Sequence, residues 1–382
     1  MVTGSTLVIV SDLHLGGGLH AAAWGAGFCD EFTDDQMFGD FLSWISQRPS
    51  SRLIFLGDTF DFLRVPVTST RTGLFARSDA EAVAQLNQIA EAHPAVFKTL
   101  SATLAAGVQV DFVSGNHDAE LIRPAVQERL RMLLGEEVRF HPWILHLPGL
   151  LYAEHGHHHH DINAFACPLY PYAKSYGRLE RPPAAWLGDL RCFTAHPRRW
   201  WRDAMTGLRG RPAARRRAKY HARLVTAHAA ELGLPERVVT ELHHPAGFSP
   251  LRIARRLAST RLQRDESRDY LLLAAASVHD LMARNKVSVP FYAFGHTHTA
   301  MLSPMGMNAC YLNSGTWSTA SRDRARIRRT WIEITIRGPA ASAQLFHWAD
   351  ATQPVIGRFG REQDSRCDSR SARALSRVWA PR

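Results

Sequence analysis

Five short segments of the chain end in residue types that bind divalent metal ions. Each segment is an apolar run of the length that a buried strand needs, and each finishes in Asp, Asn or His. These side chains supply the oxygen and imidazole donors that hold hard-to-borderline divalent metals. The segments occupy residues 9–14, 54–58, 110–118, 151–157 and 291–298. The pattern predicts a metal site assembled from five separate strand ends.

Seven side chains at these strand ends are candidate ligands. Two divalent ions about 3.5 to 4 Å apart need one bridging carboxylate and several terminal ligands each. A single Asp after a strand is usually a turn or cap residue, and a single His near apolar residues is usually structural. The joint occurrence of seven such residues favours a two-metal site. The candidates are Asp12, His14, Asp58, Asn116, His155, His296 and His298.

Strands and helices alternate through the first part of the chain. Predicted strands at 6–11, 52–56 and 108–113 are separated by predicted helices at 38–46 and 78–106, the second interrupted near Pro94. This order is typical of parallel strands joined by helical crossovers. Because ligands at the carboxyl ends of such strands converge on one crevice, we expect the candidate side chains to lie together.

The later segments predict a second group of strands. The sequence predicts a helix at 119–134, two or three short strands between 138 and 155, a helix at 270–284, a strand at 287–294, and a closing antiparallel set at 311–317, 330–336 and 343–348.

The strand-end motifs resemble those of the calcineurin-like metallophosphoesterases. The blocks are Asp-x-His at 12–14, Gly-Asp-x-x-Asp at 57–61, Gly-Asn-His-Asp at 115–118, His-Gly-His at 155–157 and Gly-His-Thr-His at 295–298. All five occur in the family's order, and together they extend over residues 11–317. The resemblance implies an α/β fold, the four-layer α/β/β/α sandwich of two mixed sheets flanked by helices, here with a helical cap insertion.

The resemblance also implies a role for each motif residue. Asp12, His14 and His298 would hold one ion, Asn116, His155 and His296 the other, and Asp58 would bridge them. His117 would be the non-ligand that donates a proton to the leaving oxygen or stabilises the phosphoryl charge, and Asp118 would orient its imidazole.

The activity implied by this site is hydrolysis of a phosphomonoester or phosphodiester. Two cations neutralise the phosphoryl oxygens and lower the pKa of a bridging water until it attacks in line. Asp, Asn and His ligands favour manganese, with iron or zinc as alternatives.

The chain divides into four predicted parts. Residues 1–169 and 270–359 form the two parts of the core, 170–269 form a basic helical cap insertion, and 360–382 form a disordered Ser/Arg-rich tail. The formal net charge is +11. Between Lys174 and Asp269 there are 21 Lys or Arg against 9 Asp or Glu, so the insertion carries the whole excess. A localised basic surface predicts an anionic partner there, a lipid or a membrane surface before a nucleic acid.

Three other functions stay open. A helical cap at this place resembles that of the UDP-diacylglucosamine pyrophosphatases, so a nucleotide-lipid pyrophosphohydrolase is the first alternative. The chain departs from those enzymes at His117 and at His157, where they typically have arginine and aspartate, and its insertion is longer. A nuclease and a non-catalytic binding scaffold are the others, although a scaffold usually lacks ligands and this chain lacks none.

The remaining motif residues are read either as part of the site or as structural. His157 is a contact to phosphate or a replacement for His155, and the three histidines that follow are read as a solvated or metal-binding run. Asp61 and Asp161 are either supports of the ligands or turn residues. The pairs His243-His244 and His279-Asp280 are read as structural. The glycines at 16–18 are read as a flexible rim of the site, because the Lys of a nucleotide-binding loop is missing. Residues 313–317 are either a strand end or a block near the site.

The chain shows the pattern of a soluble intracellular protein. Its five cysteines are odd in number and widely spaced, which favours reduced thiols, with Cys310 in the core. The amino end lacks the order of a secretory signal, and no apolar run approaches the ~20 residues of a membrane-spanning helix. We expect a cytoplasmic location, with peripheral association at a membrane as an option; the oligomeric state stays open.

Overall fold

The described part of the chain contains twelve strands and seven α-helices. The computed structural model describes residues 5–18, 30–48, 51–67, 75–76, 78–172, 179–182, 184–185, 211–243, 270–319, 327–348 and 355–361. The strands are β1 (Thr6–Val10), β2 (Ser51–Leu56), β3 (Gln109–Val113), β4 (Arg139–His141), β5 (Ile144–Leu147), β6 (Leu151–Glu154), β7 (Phe291–Phe294), β8 (Met301–Met305), β9 (Ala309–Asn313), β10 (Thr330–Arg337), β11 (Ala340–His347) and β12 (Val355–Arg361). The helices are α1 (Asp35–Ser46), α2 (Asp79–Ala92), α3 (Pro94–Ala105), α4 (Pro124–Leu134), α5 (Arg211–Leu232), α6 (Glu236–Leu242) and α7 (Tyr270–Arg284).

The strands form two mixed sheets. The first has the order β12-β11-β10-β1-β2-β3-β4, in which β1 to β4 are parallel and β10 to β12 are antiparallel. The second has the order β5-β6-β7-β9-β8, in which β6, β7 and β9 are parallel. Crossover helices α1 to α4 join the parallel strands of the first sheet, as parallel pairing requires.

The alternation of side chains along β1 decides which face of the first sheet meets which layer. Leu7 and Ile9 pack in a cluster with Leu151 and Ala293 of the second sheet, so the two sheets face each other. Val8 and Val10 point to the opposite face, where they belong to the cluster that contains Phe38 of α1, Leu86 of α2 and Leu130 of α4.

A third cluster covers the outer face of the second sheet. Tyr152 and Tyr292 of this sheet pack with Leu271 of α7 and with Val225 and Val238 of α5 and α6. The layers are therefore helices, sheet, sheet and helices, which confirms the predicted α/β fold of two mixed sheets. Helices α5 and α6, the described helices of the predicted insertion, share this core with the second sheet.

Local signals account for the helix boundaries. Ser78 precedes α2 and its hydroxyl accepts a hydrogen bond from the Glu81 amide, 3.3 Å away, as an N-cap does. Pro94 is the first residue of α3, the position at which a missing amide proton costs nothing. The predicted helix at 78–106 is thus two helices.

The structure differs from the predicted strands in the second half of the chain. The sequence did not predict β8 or β12; β8 contains Pro304, which is tolerated because β8 is an edge strand. β9 pairs in parallel with β7 and lies in a different sheet from β10 and β11, so the closing set is not one antiparallel group. β12 extends to Arg361, so the predicted tail at 360–382 overlaps the first sheet by two residues. Residues 362–382 of the predicted tail and residues 186–210 and 244–269 of the predicted insertion lie outside the described residues.

Two smaller observations concern composition and location. Cys310 is buried within β9, as expected of a core residue. Of the helices that the structure describes, none is long and apolar enough to cross a membrane.

Candidate metal centre

The seven candidate ligands follow five strands whose carboxyl ends meet between the two sheets. Asp12 and His14 follow β1, Asp58 follows β2, and Asn116 follows β3 in the first sheet. His155 follows β6, and His296 and His298 follow β7 in the second sheet. Because the sheets face each other and these strands are parallel within each sheet, their ends form one site.

The backbone is strained at most of these positions. Seven non-glycine residues of the described chain have positive φ, and five of them are candidate ligands: Asp12 (54°), His14 (56°), Asp58 (50°), His296 (66°) and His298 (56°). A non-glycine residue in this region costs free energy and persists where the surrounding structure fixes it, which is typical of functional sites.

Glycines next to the ligands allow the loops to approach closely. A Cβ atom at Gly115 would lie 2.2 Å from Asp58 Oδ1 and 2.6 Å from the Asp58 amide nitrogen. Gly57 has a φ of +82°, and a Cβ atom there would lie 2.4 Å from the His155 ring. A larger residue at either position would push the ligand loops apart.

Asp12, His14 and His298 form the first group of donors. Nε2 of His298 lies 3.2 Å from Nε2 of His14 and 3.2 Å from Oδ1 of Asp12. Nε2 of His14 lies 3.9 Å from the same carboxylate oxygen. The other oxygen of Asp12 accepts hydrogen bonds from the His296 amide at 3.0 Å and the Ser11 hydroxyl at 2.5 Å. One oxygen is thus held by the protein, and the other faces the two imidazoles.

Asp58, His155 and His296 form the second group. Nε2 of His155 lies 3.1 Å from Oδ2 of Asp58, and its Nδ1 lies 2.9 Å from the Leu56 carbonyl oxygen. The rings of His155 and His296 are 5.1 Å apart. Oδ2 of Asp58 also lies 3.8 Å from Nε2 of His14, so Asp58 connects the two groups.

These distances fit divalent cations. Two ligands about 2.1 Å from one ion, at octahedral or tetrahedral angles, lie about 3.0 to 3.4 Å from each other. The closest donor pairs of both groups fall in this range. Asp12 Oδ1, Asn116 Oδ1 and His155 Nε2 are buried and make no hydrogen bond to the described residues. Buried polar atoms of this kind call for a partner, and a cation supplies one.

Burial and neighbouring charge shift the pKa values of the donors. Burial alone lowers the pKa of His155, but the carboxylates of Asp58 and Asp12 outweigh it and raise the pKa to about 10. Burial, with His155 nearby, holds the pKa of His296 well below its usual value. The carboxylates thus favour a positive charge beside them, and a cation bound to His155 would take the place of its ring proton, because a ligand imidazole is neutral.

His117 lies beside the donors, and a carboxylate holds its ring. A donor atom of His117 lies within 4.8 Å of donor atoms of His14 and Asp58. Its Nδ1 lies 2.9 Å from Oδ1 of Asp61, and about a quarter of the side chain is exposed. Burial lowers the pKa of His117, but Asp61 and Asp58 outweigh it and raise the pKa to about 9.

The carboxylate of Asp118, the predicted support of the His117 ring, contacts backbone amides. It accepts hydrogen bonds from the backbone amides of Gly115 at 2.6 Å and Thr59 at 2.7 Å. It therefore joins the loops after β2 and β3, and the residue that holds the imidazole is Asp61. Oδ2 of Asp61 also lies 3.4 Å from Nδ1 of His14 and 3.2 Å from Nε of Arg64.

The histidine run divides into residues with different surroundings. His157 is buried, its ring is 5.6 Å from that of His155, and its nitrogens make no hydrogen bond to described residues. His158 packs against Trp143 at a ring distance of 4.9 Å. Nε2 of His159 lies 2.7 Å from a carboxylate oxygen of Glu154. His157 is thus buried beside His155, and the rest of the run is half-buried.

The block at 313–317 supports the site. The hydroxyl of Thr316 donates to the Asp12 carbonyl oxygen at 2.7 Å, and the amide of Trp317 donates to the same oxygen at 3.2 Å. Nδ2 of Asn313 donates to the Gly295 carbonyl oxygen at 2.9 Å. The block therefore holds the loops that carry Asp12 and His296.

Known proteins resemble the chain in three dimensions only. No protein-family model matches the sequence, and no curated protein matches it. Among solved structures, a dimetal phosphatase from Danio rerio is similar over 92% of this chain and 98% of its own, at 11% identity and a TM-score of 0.38. Vacuolar Protein Sorting 29 from Cryptosporidium parvum is similar over 94% of this chain and 99% of its own, at 8% identity and a TM-score of 0.35.

A third solved structure carries the name of the family that the motifs resemble. It is the calcineurin-like phosphoesterase YfkN from Bacillus subtilis, similar over 98% of this chain and 96% of its own, at 9% identity and a TM-score of 0.31. Similarities at this level assign neither a family nor an activity to the chain.

Two residues, Asp61 and Asn163, contact the site although the sequence did not single them out. The Gly-Asp-x-x-Asp spacing contained Asp61, but a turn role was an equal reading. Asn163 had no signal at all, although its Nδ2 lies 3.0 Å from Nε2 of His296. The contact of Asp61 with His117 and that of Asn163 with His296 each join residues far apart in the chain.

Proposed function

We propose that the protein is a two-metal hydrolase of phosphate esters, acting on a phosphomonoester or a phosphodiester. The observation that supports this most is the placement of Asp58. Its carboxylate lies among the donors of both groups, 3.1 Å from His155 and 3.8 Å from His14. One carboxylate between two sets of donors is the arrangement that a pair of ions requires.

The chain's own residues would divide the chemistry among them. Asp12, His14 and His298 would hold one ion and Asn116, His155 and His296 the other, with Asp58 between them. Bound divalent ions would supply positive charge for the phosphoryl oxygens and activation of an attacking water. Manganese suits this donor set best, and iron and zinc suit it next.

His117 would serve the leaving group. As the P–O bond to the leaving oxygen breaks, a ring N–H of His117 gives its proton to that oxygen, so the product leaves as an alcohol. The hydrogen bond to Asp61 fixes the ring orientation and stabilises the imidazolium. The attacking water restores the balance, because its oxygen enters the phosphate and its proton replaces the one that His117 gave.

The insertion would act as a cap that selects the substrate. The ring of His243, just after α6, is 6.5 Å from that of His158, which is 4.0 Å from that of His157. The described end of the insertion therefore lies beside the histidine run that starts at the centre. With the basic composition of residues 174–269, this place suits an anionic partner, a lipid or a membrane surface.

The first experiment is manganese-dependent hydrolysis by the purified protein. An aryl phosphomonoester, the matching diester and a UDP-linked lipid are compared, with the Asp58→Asn variant as the control. We expect turnover of one simple ester, dependent on the metal and absent in the variant. Turnover of the lipid pyrophosphate alone would support the pyrophosphohydrolase instead. A protein that binds two ions and hydrolyses none of the three would contradict the proposal and favour a binding scaffold.

A further inference from the structure

Asn163 lies in the turn that follows the histidine run, next to the start of the insertion. Its backbone amide donates to the His160 carbonyl oxygen at 2.8 Å, which fixes the turn. The carbonyl oxygen of Ile162 accepts a hydrogen bond from the Ala184 amide at 2.7 Å. The side chain is therefore held between the metal centre and the insertion.

The side-chain amide of Asn163 points at a proposed ligand atom. Nδ2 lies 3.0 Å from Nε2 of His296 and 3.2 Å from Nδ1 of His160. The 3.0 Å separation equals that of two neighbouring ligands on one ion, about 3.0 to 3.4 Å. It also matches the 3.1 Å between His155 and Asp58 and the 3.2 Å between His298 and Asp12.

The chemistry of the amide makes this contact informative. Nε2 of a neutral imidazole has one lone pair, which can serve a hydrogen-bond donor or a cation but not both. A cation on His296 would therefore displace the N–H group of Asn163. Rotation of the amide by half a turn exchanges Nδ2 for Oδ1 in nearly the same place, because the two atoms differ little in size. The carbonyl oxygen would then face the cation.

We propose that Asn163 is a further ligand of the ion that His155 and His296 hold, through its side-chain carbonyl oxygen. This inference rests on the proposed function, because it needs the two-metal site. Asn163 would join Asn116 as an amide oxygen ligand, and amide oxygens suit manganese. It would also connect the ion to the turn that leads into the insertion.

The test is a titration of the metal-free protein with manganese, read as stoichiometry and affinity by calorimetry and by the electron paramagnetic resonance of the bound ion. Asn163→Ala and Asn163→Leu remove the oxygen, the second with little change of size. Asn163→Asp keeps an oxygen in the same shape. We expect the first two to weaken one of the two ions by about 10-fold or more, and Asn163→Asp to bind both as tightly as the wild type or more tightly.

Three outcomes would count against the inference, and they can be told apart. Asn163→Ala that binds both ions within about twofold of the wild type would overturn it while leaving the two-metal site in place. Equal weakening in Asn163→Asp and Asn163→Ala would assign the residue to the shape of the turn and overturn it as well. A wild type that binds no ion would remove the proposed function and the inference together. Asn87→Ala serves as the control and should bind both ions normally, because Asn87 lies in α2 and accepts a hydrogen bond from Arg129 of α4.

Discussion

The two sheets contribute different kinds of donor to the centre. The first-sheet loops, which we define as residues 11–16, 57–61 and 114–118, supply both candidate carboxylate ligands, the imidazole of His14 and the amide of Asn116. The second-sheet loops, residues 155–163 and 295–299, supply three imidazoles and the amide of Asn163. The charge of the site thus comes from one sheet, and most of its neutral donors come from the other.

The loops also differ in what holds them. Backbone hydrogen bonds continue the pairing of β1 and β2 beyond the strands: the amides of Asp12 and His14 donate to the carbonyl oxygens of Gly57 and Asp58, at 3.1 and 2.9 Å. The carboxylates of Asp12, Asp58 and Asp118 each accept at least one backbone amide. The second-sheet loops are also joined by a backbone bond, from the Gly295 amide to the His155 carbonyl oxygen at 3.1 Å, but they carry no candidate carboxylate ligand. A side chain, that of Asn163, contacts His296 there.

This difference separates a rigid part of the site, the first-sheet loops, from a part that is placed to select a substrate, the second-sheet loop next to the insertion. Buried carboxylates are costly without fixed partners, so their loops need backbone amides. The second-sheet loop at 155–163 carries an imidazole and no candidate carboxylate ligand, and it leads towards the insertion. The variants below test this division, from the largest expected effect to the smallest.

Asp58→Asn should have the largest effect. It removes the charge shared by both groups and keeps the size, so both ions should bind weakly and activity should fall by about 1,000-fold or more, or about 4 kcal/mol. His298→Asn, in the second-sheet loops, should weaken only the ion it shares with Asp12. Metal analysis and ester hydrolysis measure both. Two ions bound to Asp58→Asn at wild-type affinity would show that this carboxylate does not bridge them.

His117→Ala should lower kcat by about 100-fold, because the leaving oxygen loses its proton donor. Both ions should remain, since His117 is not a proposed ligand. Asp61→Asn should give a smaller loss of kcat, and Asp118→Asn should mainly lower the free energy of unfolding. Metal analysis beside kinetics separates these variants, and loss of an ion from His117→Ala would mean that a ligand has been misassigned.

Gly115→Ala should destabilise the protein by about 2 kcal/mol, because the new Cβ would overlap Asp58 and separate two first-sheet loops. Gly39→Ala in α1 is the matched control. Its Cβ would meet only Thr99 Oγ1 at 3.6 Å, and alanine favours a helix, so stability should stay level or rise. Urea unfolding measures both. If Gly115→Ala and Gly39→Ala had the same free energy of unfolding, the loops after β2 and β3 would not need their close approach at Gly115.

The smallest effect concerns His93, which lies between α2 and α3 and contacts the carboxylates of Asp30 and Asp35. Its Nε2 and Nδ1 lie 2.8 Å from Asp30 and 2.8 Å from Asp35. Burial lowers the pKa of His93, but these carboxylates outweigh it and raise the pKa to about 9. Because the folded-state pKa is raised, the stabilisation is complete below pH about 6.5 and disappears as the pH rises through about 9.

His93→Gln should therefore lower the free energy of unfolding by about 1 to 2 kcal/mol at pH 6 and by much less at pH 9.5. Asp35→Asn keeps one of the two carboxylates and should reduce this pH dependence without removing it. Unfolding in urea at a series of pH values measures the slope. A difference between wild type and His93→Gln that does not shrink with rising pH would show that the histidine acts by packing alone.

The sequence by itself determined the strand ends and the donor types. Apolar runs that finish in Asp, Asn or His are local signals, so the positions of Asp12, Asp58 and His155 at strand ends could be predicted without a structure. Proline and capping residues likewise marked the boundaries of α2 and α3. These features depend on neighbours within a few positions of the chain.

Only the tertiary structure decided which side chains meet. Asp61 rather than Asp118 contacts the His117 ring, over a separation of 56 residues, and Asn163 contacts His296 over 133 residues. Asp118 and Asp61 are both acidic residues after a strand, and no local pattern separates them. The pairing of β2 with β3 and the course of the loops that follow them set which one reaches the imidazole. That pairing joins segments more than 50 residues apart in the chain.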